Sequence, residues 1–198
     1  MSREDLDKWE ARYAGGAYTE RPHPSPWVTA QVPAAEPGAS RPRALDLACG
    51  AGRNALYLAR QGYDVDAIDI SPAGLTLARA ATEAQRLSVR WHAHDLDRGL
   101  PADLGSGFQI ALVIRFVRLD LLPELIAALT PGGLLVVELH LRSEAEVAGP
   151  TSPAFRVPPR ALADALGGLR IEAYEEGLIT DPDGRTVALA RAAARRTD

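Results

Sequence analysis

A single cysteine, Cys49, is all the thiol that this 198-residue chain holds, and it excludes an intrachain disulfide framework. Cationic residues are not in excess either: 22 Lys and Arg against 26 Asp and Glu give a formal net charge of -4. Binding nucleic acid through its phosphates calls for a basic stripe, so nucleic acid is not an expected partner. Long apolar runs are missing too. RALDLACG and TPGGLLVVELHL stop well short of the roughly 20 residues that cross a bilayer, and they read as buried strands; no membrane partner is expected. The opening MSREDLDKWE is too polar for a signal peptide, which makes the cytoplasm the expected compartment. Histidine is scarce, with four in the chain. His92 and His94 share one face of a strand but lack a third ligand at suitable spacing, so no metal is expected.

What is present is the balance of an ordinary globular protein, 46% hydrophobic and 24% charged. The length suits one domain over residues 1–198, with a monomer as the default. Ser2 with Asp5 three positions on, then Leu6, Trp9 and Tyr13 at helical spacing, predicts a short amphipathic helix over 2–14. Residues 22–42 carry Pro22, Pro24, Pro26, Pro33, Pro37 and Pro42, which break regular structure, although Ser25-Pro26 can start a brief helix. Residues 1–42 therefore read as an N-terminal arm on a core at 43–198.

From residue 43 short apolar runs alternate with helical stretches, the signature of a parallel sheet joined by crossover helices. Strands are predicted at 43–48, 64–69, 88–93, 109–114 and 134–140. Helices are predicted at 54–61, 72–85 and 120–129, the last ended by Pro131-Gly132-Gly133. A helix over 159–166 then precedes two strand-like runs, RIEAYEEG and RTVALARAAA. Asp181-Pro182-Asp183-Gly184 between them predicts an antiparallel hairpin.

The chemistry is concentrated in Asp46-Leu47-Ala48-Cys49-Gly50-Ala51-Gly52-Arg53-Asn54, where a strand runs through small residues into a helix. Glycines there tolerate positive φ and let backbone approach a ligand, while the helix N-terminus offers free N–H groups. A tight turn with no ligand would look similar, but the next strand ends in Asp69, placed to accept from two ribose hydroxyls. A third strand ends at His94-Asp95-Leu96, where the carboxylate can accept from an adenine amino group. In an open α/β sheet such strand ends converge where the order reverses, here between strands one and four.

These residues resemble the class I S-adenosylmethionine-dependent methyltransferases over 43–191. Asp46 to Gly52 is similar to that family's first motif, Asp69 to its ribose acid, Asp95 to its adenine contact, and Leu129-Thr130-Pro131-Gly132-Gly133 to the turn before its fifth strand. The resemblance implies an α/β, Rossmann-like, seven-stranded, mostly parallel sheet of order 3-2-1-4-5-7-6, the last strand antiparallel and helices on both faces. It implies S-adenosyl-L-methionine as cofactor, bound by Asp46, Ala48, Gly50, Gly52, Arg53, Asn54, Asp69, Ile70, Asp95, Leu96 and Arg115. Within the class, Gly52 to Leu58, Ser152-Pro153-Ala154-Phe155 and Ala173 to Gly177 resemble the tellurite-resistance and thiopurine-methyltransferase-like branch. Two positions depart from the pattern: Ala48 stands for the usual first glycine, and Gln109 for the acid that often opens strand four.

Methyl transfer is an in-line displacement that gains most from alignment and exclusion of water. A soft chalcogen or thiol acceptor needs no dedicated base. Arg115, Arg118, His140 and Arg142 follow strands four and five and are candidates for the acceptor side, together with Trp9, Tyr13 and Tyr18 of the arm. For the two arginines the plainer reading is solvated charge; for His140 it is a partly buried strand-end residue. Cys49 reads as packing, and the basic stretch from Arg191 to Arg196 as an ordinary charged terminus. Three other readings stand beside a small-molecule methyltransferase: a non-catalytic cofactor-binding protein, an NAD(P)-dependent oxidoreductase, for which Asn54 stands where a further glycine is wanted, and an RNA methyltransferase, disfavoured by charge.

Overall fold

The computed structural model describes residues 3–16, 22–36, 38 and 40–197; Ser2, Tyr18 and Pro37 lie outside them. Its centre is one seven-stranded sheet: β1 Arg43–Leu47, β2 Asp64–Asp69, β3 Val89–Ala93, β4 Phe108–Ile114, β5 Leu129–His140, β6 Leu169–Thr180 and β7 Thr186–Arg196. The order is β3-β2-β1-β4-β5-β7-β6. Strands β1 to β5 pair in parallel, and β7 runs antiparallel to both β5 and β6. The order therefore reverses between β1 and β4, as the strand-end motifs require.

Alternation along the strands sends neighbouring side chains to opposite faces. Ala44, Val65, Ala67, Ile110 and Leu112 pack under α3 (Arg53–Arg60) and α4 (Pro72–Ala84). Leu45, Leu47, Ile68, Ala111 and Val113 face the side covered by α5 (Leu122–Ala128) and α6 (Ala161–Ala165). Both faces are apolar, so both carry helices, as expected for parallel strands.

Several predicted boundaries shift. The stretch Pro131-Gly132-Gly133 is not a turn ahead of the fifth strand: β5 already begins at Leu129. Phe108 pairs with Leu129 and Ile110 with Leu134, so the segment between is bulged out, with Gly132 at φ 73. Turn chemistry and strand pairing coexist because a bulge takes up extra residues without ending the ladder. The helix predicted from 120 is a 3-10 turn over Leu119–Leu121 followed by α5. The basic terminal stretch is structural instead of merely solvated. Arg191 is buried within β7, Arg195 donates to the Gly132 carbonyl at 3.0 Å, and Arg196 donates to the carbonyls of Ala127 and Leu129 where α5 ends, where a cation also meets the negative end of the helix.

The arm packs on the core in two short helices, α1 (Arg3–Ala14) and α2 (Pro26–Gln31). Ser25 caps α2, its hydroxyl accepting from the Trp27 amide at 3.2 Å, with Pro26 in the first turn where a missing N–H costs nothing.

Asp66, with a 3% exposed side chain, fastens the β1, β2 and β3 half of the sheet. It accepts from Arg43 of β1 at 2.9 Å and from Arg90 and His92 of β3 at 2.8 and 2.9 Å. Burial alone would raise its pKa, but the hydrogen bonds from Arg90, Arg43 and His92 hold it at about 2. A depressed acid stabilises the fold above its unfolded value of 3.8 and loses that contribution as pH falls through its folded value. Asp66→Asn is therefore expected to cost about 2 kcal/mol at pH 7, an upper figure because Arg43 and Arg90 are partly solvated. In denaturant titrations the gap to wild type should close between about pH 4 and pH 2.

Candidate active site

At the carboxyl end of β1 the chain turns through Ala48, Gly50 and Gly52 at φ 52, 56 and 81, all in the left-handed region that favours glycine. Ala48 adopts the conformation of the glycine it stands for, at the cost of a strained Cβ. Gly52 leaves no room for one: a Cβ there would lie 2.5 Å from the Trp91 ring and 3.0 Å from the Ala78 methyl. The turn is tied to β2 by the Cys49 amide, which donates to the Ile68 carbonyl at 3.0 Å, and to Asp69.

Asp69 is the hub of the crevice. One carboxylate oxygen accepts from the Gly50 amide at 2.7 Å and the other from the Ser71 amide at 2.8 Å. Burial pushes its carboxyl above the usual range, against the pull of the amides of Ser71, Gly50 and Ile70. Through it, the turn after β1 and the cap of α4 form one rigid rim. Ser71 continues that rim, its hydroxyl accepting from the Gly74 amide at 3.0 Å.

Beneath the same turn lies Asp46, 1% exposed, with neither carboxyl oxygen in a hydrogen bond among the described residues. Burial raises its pKa to about 7, while the Ala55 amide and Arg53 pull down and Asp69 pushes further up. Cys49 is buried, and burial, then Asp46 and Asp69, pushes its thiol well above its ordinary value. It is a neutral packing group.

The roof comes from the arm. Glu10 of α1 accepts from the Ser71 hydroxyl at 2.5 Å and the Ala73 amide at 3.1 Å, a carboxylate at a helix N-terminus, where the dipole favours it. Tyr13 stands over the turn: a Cβ on Gly50 would collide with its hydroxyl, and one on Gly74 would lie 3.2 Å from its ring. Lys8 lies 5.4 Å from the Phe155 ring centroid, so α1 also meets the turn Pro153–Phe155 beyond β5.

The remaining sequence candidates divide. Asp95 caps the turn Leu96–Arg98 by accepting from the Asp97 amide at 3.0 Å, with Leu96 buried behind it. Asn54 holds the arm, its side-chain oxygen accepting from the Ser25 amide at 2.9 Å; Arg53 donates to the His23 carbonyl at 3.4 Å. Arg115, at φ 62, is clamped by Glu138 at 2.5 Å and Asp181 at 2.8 Å. Burial works against its charge, but Glu138 and Asp181 outweigh that and raise its pKa. Arg118 is paired with Asp120 at 2.8 Å and with Asp97. The two arginines are thus ion-paired, Arg118 at the solvent-exposed surface. His140 is 8% exposed, packed so closely under Gly149 that a Cβ there would lie 2.8 Å from its ring. His92 belongs to the Asp66 cluster, and His94 contacts the Gly99 carbonyl at 3.1 Å. Glu10 and Glu138 were not singled out by the sequence, and Ser25 and Asp181 only as a helix start and a turn residue; of these only Glu138, a charge within the apolar run LLVVELHL, carries a signal that could have flagged its role in the site.

Residues 44–133 match a family described as a methyltransferase domain. The chain is 31% identical over 156 residues to a protein named Hemagglutinin 1 from Eikenella corrodens, a match taking in 74% of this chain and 51% of that protein. It thus spans about half the length of that curated relative. Among solved structures it is similar to TehB from Haemophilus influenzae (22% identity, TM-score 0.67, 80% of this chain and 59% of that one). It is also similar to the 1,6-didemethyltoxoflavin-N1-methyltransferase of Burkholderia thailandensis, solved with 1,6-didemethyltoxoflavin and S-adenosylhomocysteine (20% identity, TM-score 0.67, 98% of this chain and 87% of that one). Residues 44–133 are thus similar to a methyltransferase domain, and the chain has the fold of the class I S-adenosylmethionine-dependent methyltransferases. That class is one of enzymes, and its cofactor is S-adenosylmethionine.

The residues present fit that cofactor. The left-handed turn at Ala48, Gly50 and Gly52 is a cradle in which side chains would intrude, Asp69 offers a carboxylate for a vicinal diol, and Asp46 is a buried carboxyl under the cradle that makes no hydrogen bond among the described residues. The cradle's backbone is testable through stability alone. Gly52→Ala is expected to lose about 2 kcal/mol or more, from the positive φ and the clash with Trp91. Ala48→Gly, which relieves the same kind of strain, should leave stability unchanged or raise it by up to about 1 kcal/mol, as measured by denaturant unfolding.

Proposed function

We propose that the protein transfers the methyl group of S-adenosylmethionine to a small molecule. The observation that carries this reading is the closed construction of the crevice: Asp69 joins the turn after β1 to the cap of α4, and α1 roofs that rim through Glu10 and Tyr13. When bound, the cofactor supplies an activated methyl on a sulfonium. The chain's own residues then have three tasks. Asp69 and the left-handed turn fix the nucleoside end, α1 and the turn Pro153–Phe155 exclude water, and the segments beyond β4 and β5 hold the acceptor. Displacement at a methyl needs alignment more than proton transfer, so a covered crevice is suited to it.

For the acceptor, a roofed entrance favours a small molecule over a macromolecule. The pocket of about 390 Å³ beyond β5, lined by Arg142, Ser143, Thr151 and Pro153 among others, is the place we assign to it. With Arg115 and Arg118 committed to carboxylates, Arg142 is the cation we assign to an acidic acceptor. Resemblance to the tellurite-resistance branch supports a chalcogen or thiol compound. A protein working as a monomer in the cytoplasm is consistent with this reading; no described helix is long and apolar enough to cross a membrane.

Thermal unfolding with separate additions of S-adenosylmethionine, S-adenosylhomocysteine and NAD(P)H tests the cofactor class. At about 100 times its dissociation constant, a ligand adds roughly 2.7 kcal/mol, a shift of several degrees for a domain of this size. The S-adenosyl compounds should shift the wild type and fail to shift Asp69→Ala, and methyl transfer to a panel of chalcogen and thiol acceptors should follow. A shift with NAD(P)H alone would sink the proposal, and binding without turnover on any acceptor would favour the non-catalytic reading.

A further inference from the structure

Resting on that cofactor assignment, we propose that Asp46 couples cofactor capture to release of a proton: its carboxyl is neutral in the free protein and ionised once the cofactor's cationic groups lie on the turn above it. The geometry is specific. Asp46 sits one residue before the end of β1, flanked in the sheet by Ala67 of β2 and Leu112 of β4, neither of which offers a polar side chain. It is sealed from solvent, and neither of its oxygens makes a hydrogen bond among the described residues, although the Ala55 amide lowers its pKa. The charged and titratable groups around it are few: Arg53 at the start of α3, Asp69 at the end of β2, with Glu10 of α1 acting on Asp69 in turn, and the neutral thiol of Cys49. Among these described residues one cation thus faces three acids.

An isolated carboxylate in an apolar setting takes up a proton instead of remaining charged. Asp46 follows that rule, its pKa raised to about 7. S-adenosylmethionine carries an ammonium and a sulfonium. A positive charge set over the turn favours the ionised form of the acid below it, and by linkage a ligand that prefers the ionised form expels the proton. The affected quantity is affinity. If only the ionised form binds well, the apparent dissociation constant scales inversely with the ionised fraction, so binding should be about tenfold tighter at pH 8 than at pH 6.

Calorimetric titration at pH 6 in buffers of different ionisation enthalpy counts the protons released. About one proton per S-adenosylmethionine is expected at pH 6 and close to none at pH 8. Asp46→Asn should abolish both the release and the pH dependence. 5'-Methylthioadenosine, which has the nucleoside but neither cation, should bind the wild type with no pH dependence. S-adenosylhomocysteine, which keeps only the ammonium, separates the two cations: a release equal to that of S-adenosylmethionine assigns the coupling to the ammonium, and a smaller one to the sulfonium.

Two readings that need no cofactor-bound variant guard the test. Free Asp46→Asn should melt above the wild type at pH 8 and level with it near pH 4, because the buried acid destabilises the fold only where the unfolded chain is ionised. The protonated-carboxyl infrared band of the wild type should be present at pH 6 and vanish when S-adenosylmethionine is added. Unchanged proton release in Asp46→Asn, or an infrared band that persists on binding, overturns the proposal. Failure of every S-adenosyl compound to bind at any pH would instead overturn the cofactor assignment on which it rests.

Discussion

A charged group with no exposed surface has to be paired, and Glu138, fully buried near the end of β5, meets that constraint with partners from three other segments. One oxygen takes Arg115 from the end of β4; the other takes Arg191 of β7 at 2.9 Å and the Ser25 hydroxyl of the arm at 3.2 Å. Arg115 passes the connection on to Asp181 in the hairpin, and Arg191 to Glu175 of β6 at 3.1 Å. Because Ser25 also caps α2 and donates its amide to Asn54, the arm is pinned at its return to the core. Removing one member would leave uncompensated charge in the interior, which is why such networks hold geometry more firmly than they add stability. The seating of α2 where the arm returns to the core thus rests on this acid, while α1 is held over the crevice by its own contacts through Glu10 and Tyr13.

The charges of the crevice point to the kind of ligand it suits. Asp69 and Glu10 gather around the turn after β1, with Asp46 raised to about 7 beneath it and Arg53 beside them, while Arg115 and Arg118 are neutralised by carboxylates. A dinucleotide would bring phosphates to a rim already occupied by acids, whereas a sulfonium amino acid brings cations. Backbone amides at a glycine turn serve either ligand; the side chains around them distinguish the two.

Most of the fold is legible in the sequence because its strands obey a simple alternation of apolar runs and crossover helices, and its turns carry Gly and Pro where the chain must bend. Asp69, Gly50 and Gly52 are legible because backbone chemistry at a strand end restricts the residue types that fit. The roles of Asn54, Arg115 and Arg118 are not, because an arginine at a strand end looks the same whether it meets solvent or a carboxylate 23 or 66 residues away. Tyr13 is a candidate in the sequence, but its place over Gly50 and the role of Glu10 escape for the same reason, since the partners of α1 are set by tertiary packing. The bulge at 130–133 escapes because a Pro-Gly-Gly run reads as a turn when the neighbouring strand is not in view.

Two non-glycine residues in left-handed conformations, Ala48 and Arg115, end the two strands that flank the point where the strand order reverses. Each such residue costs of order 1–3 kcal/mol and persists only when its surroundings over-determine it. Those surroundings are visible: next to Ala48 the Cys49 amide is held by the Ile68 carbonyl, and the Arg115 amide is held by the Glu138 carbonyl at 2.6 Å while its side chain is clamped. Strain at both lips of one crevice, each lip braced by a neighbouring strand, is what a preformed binding site requires, because a backbone that must meet a ligand closely cannot relax to its own local minimum.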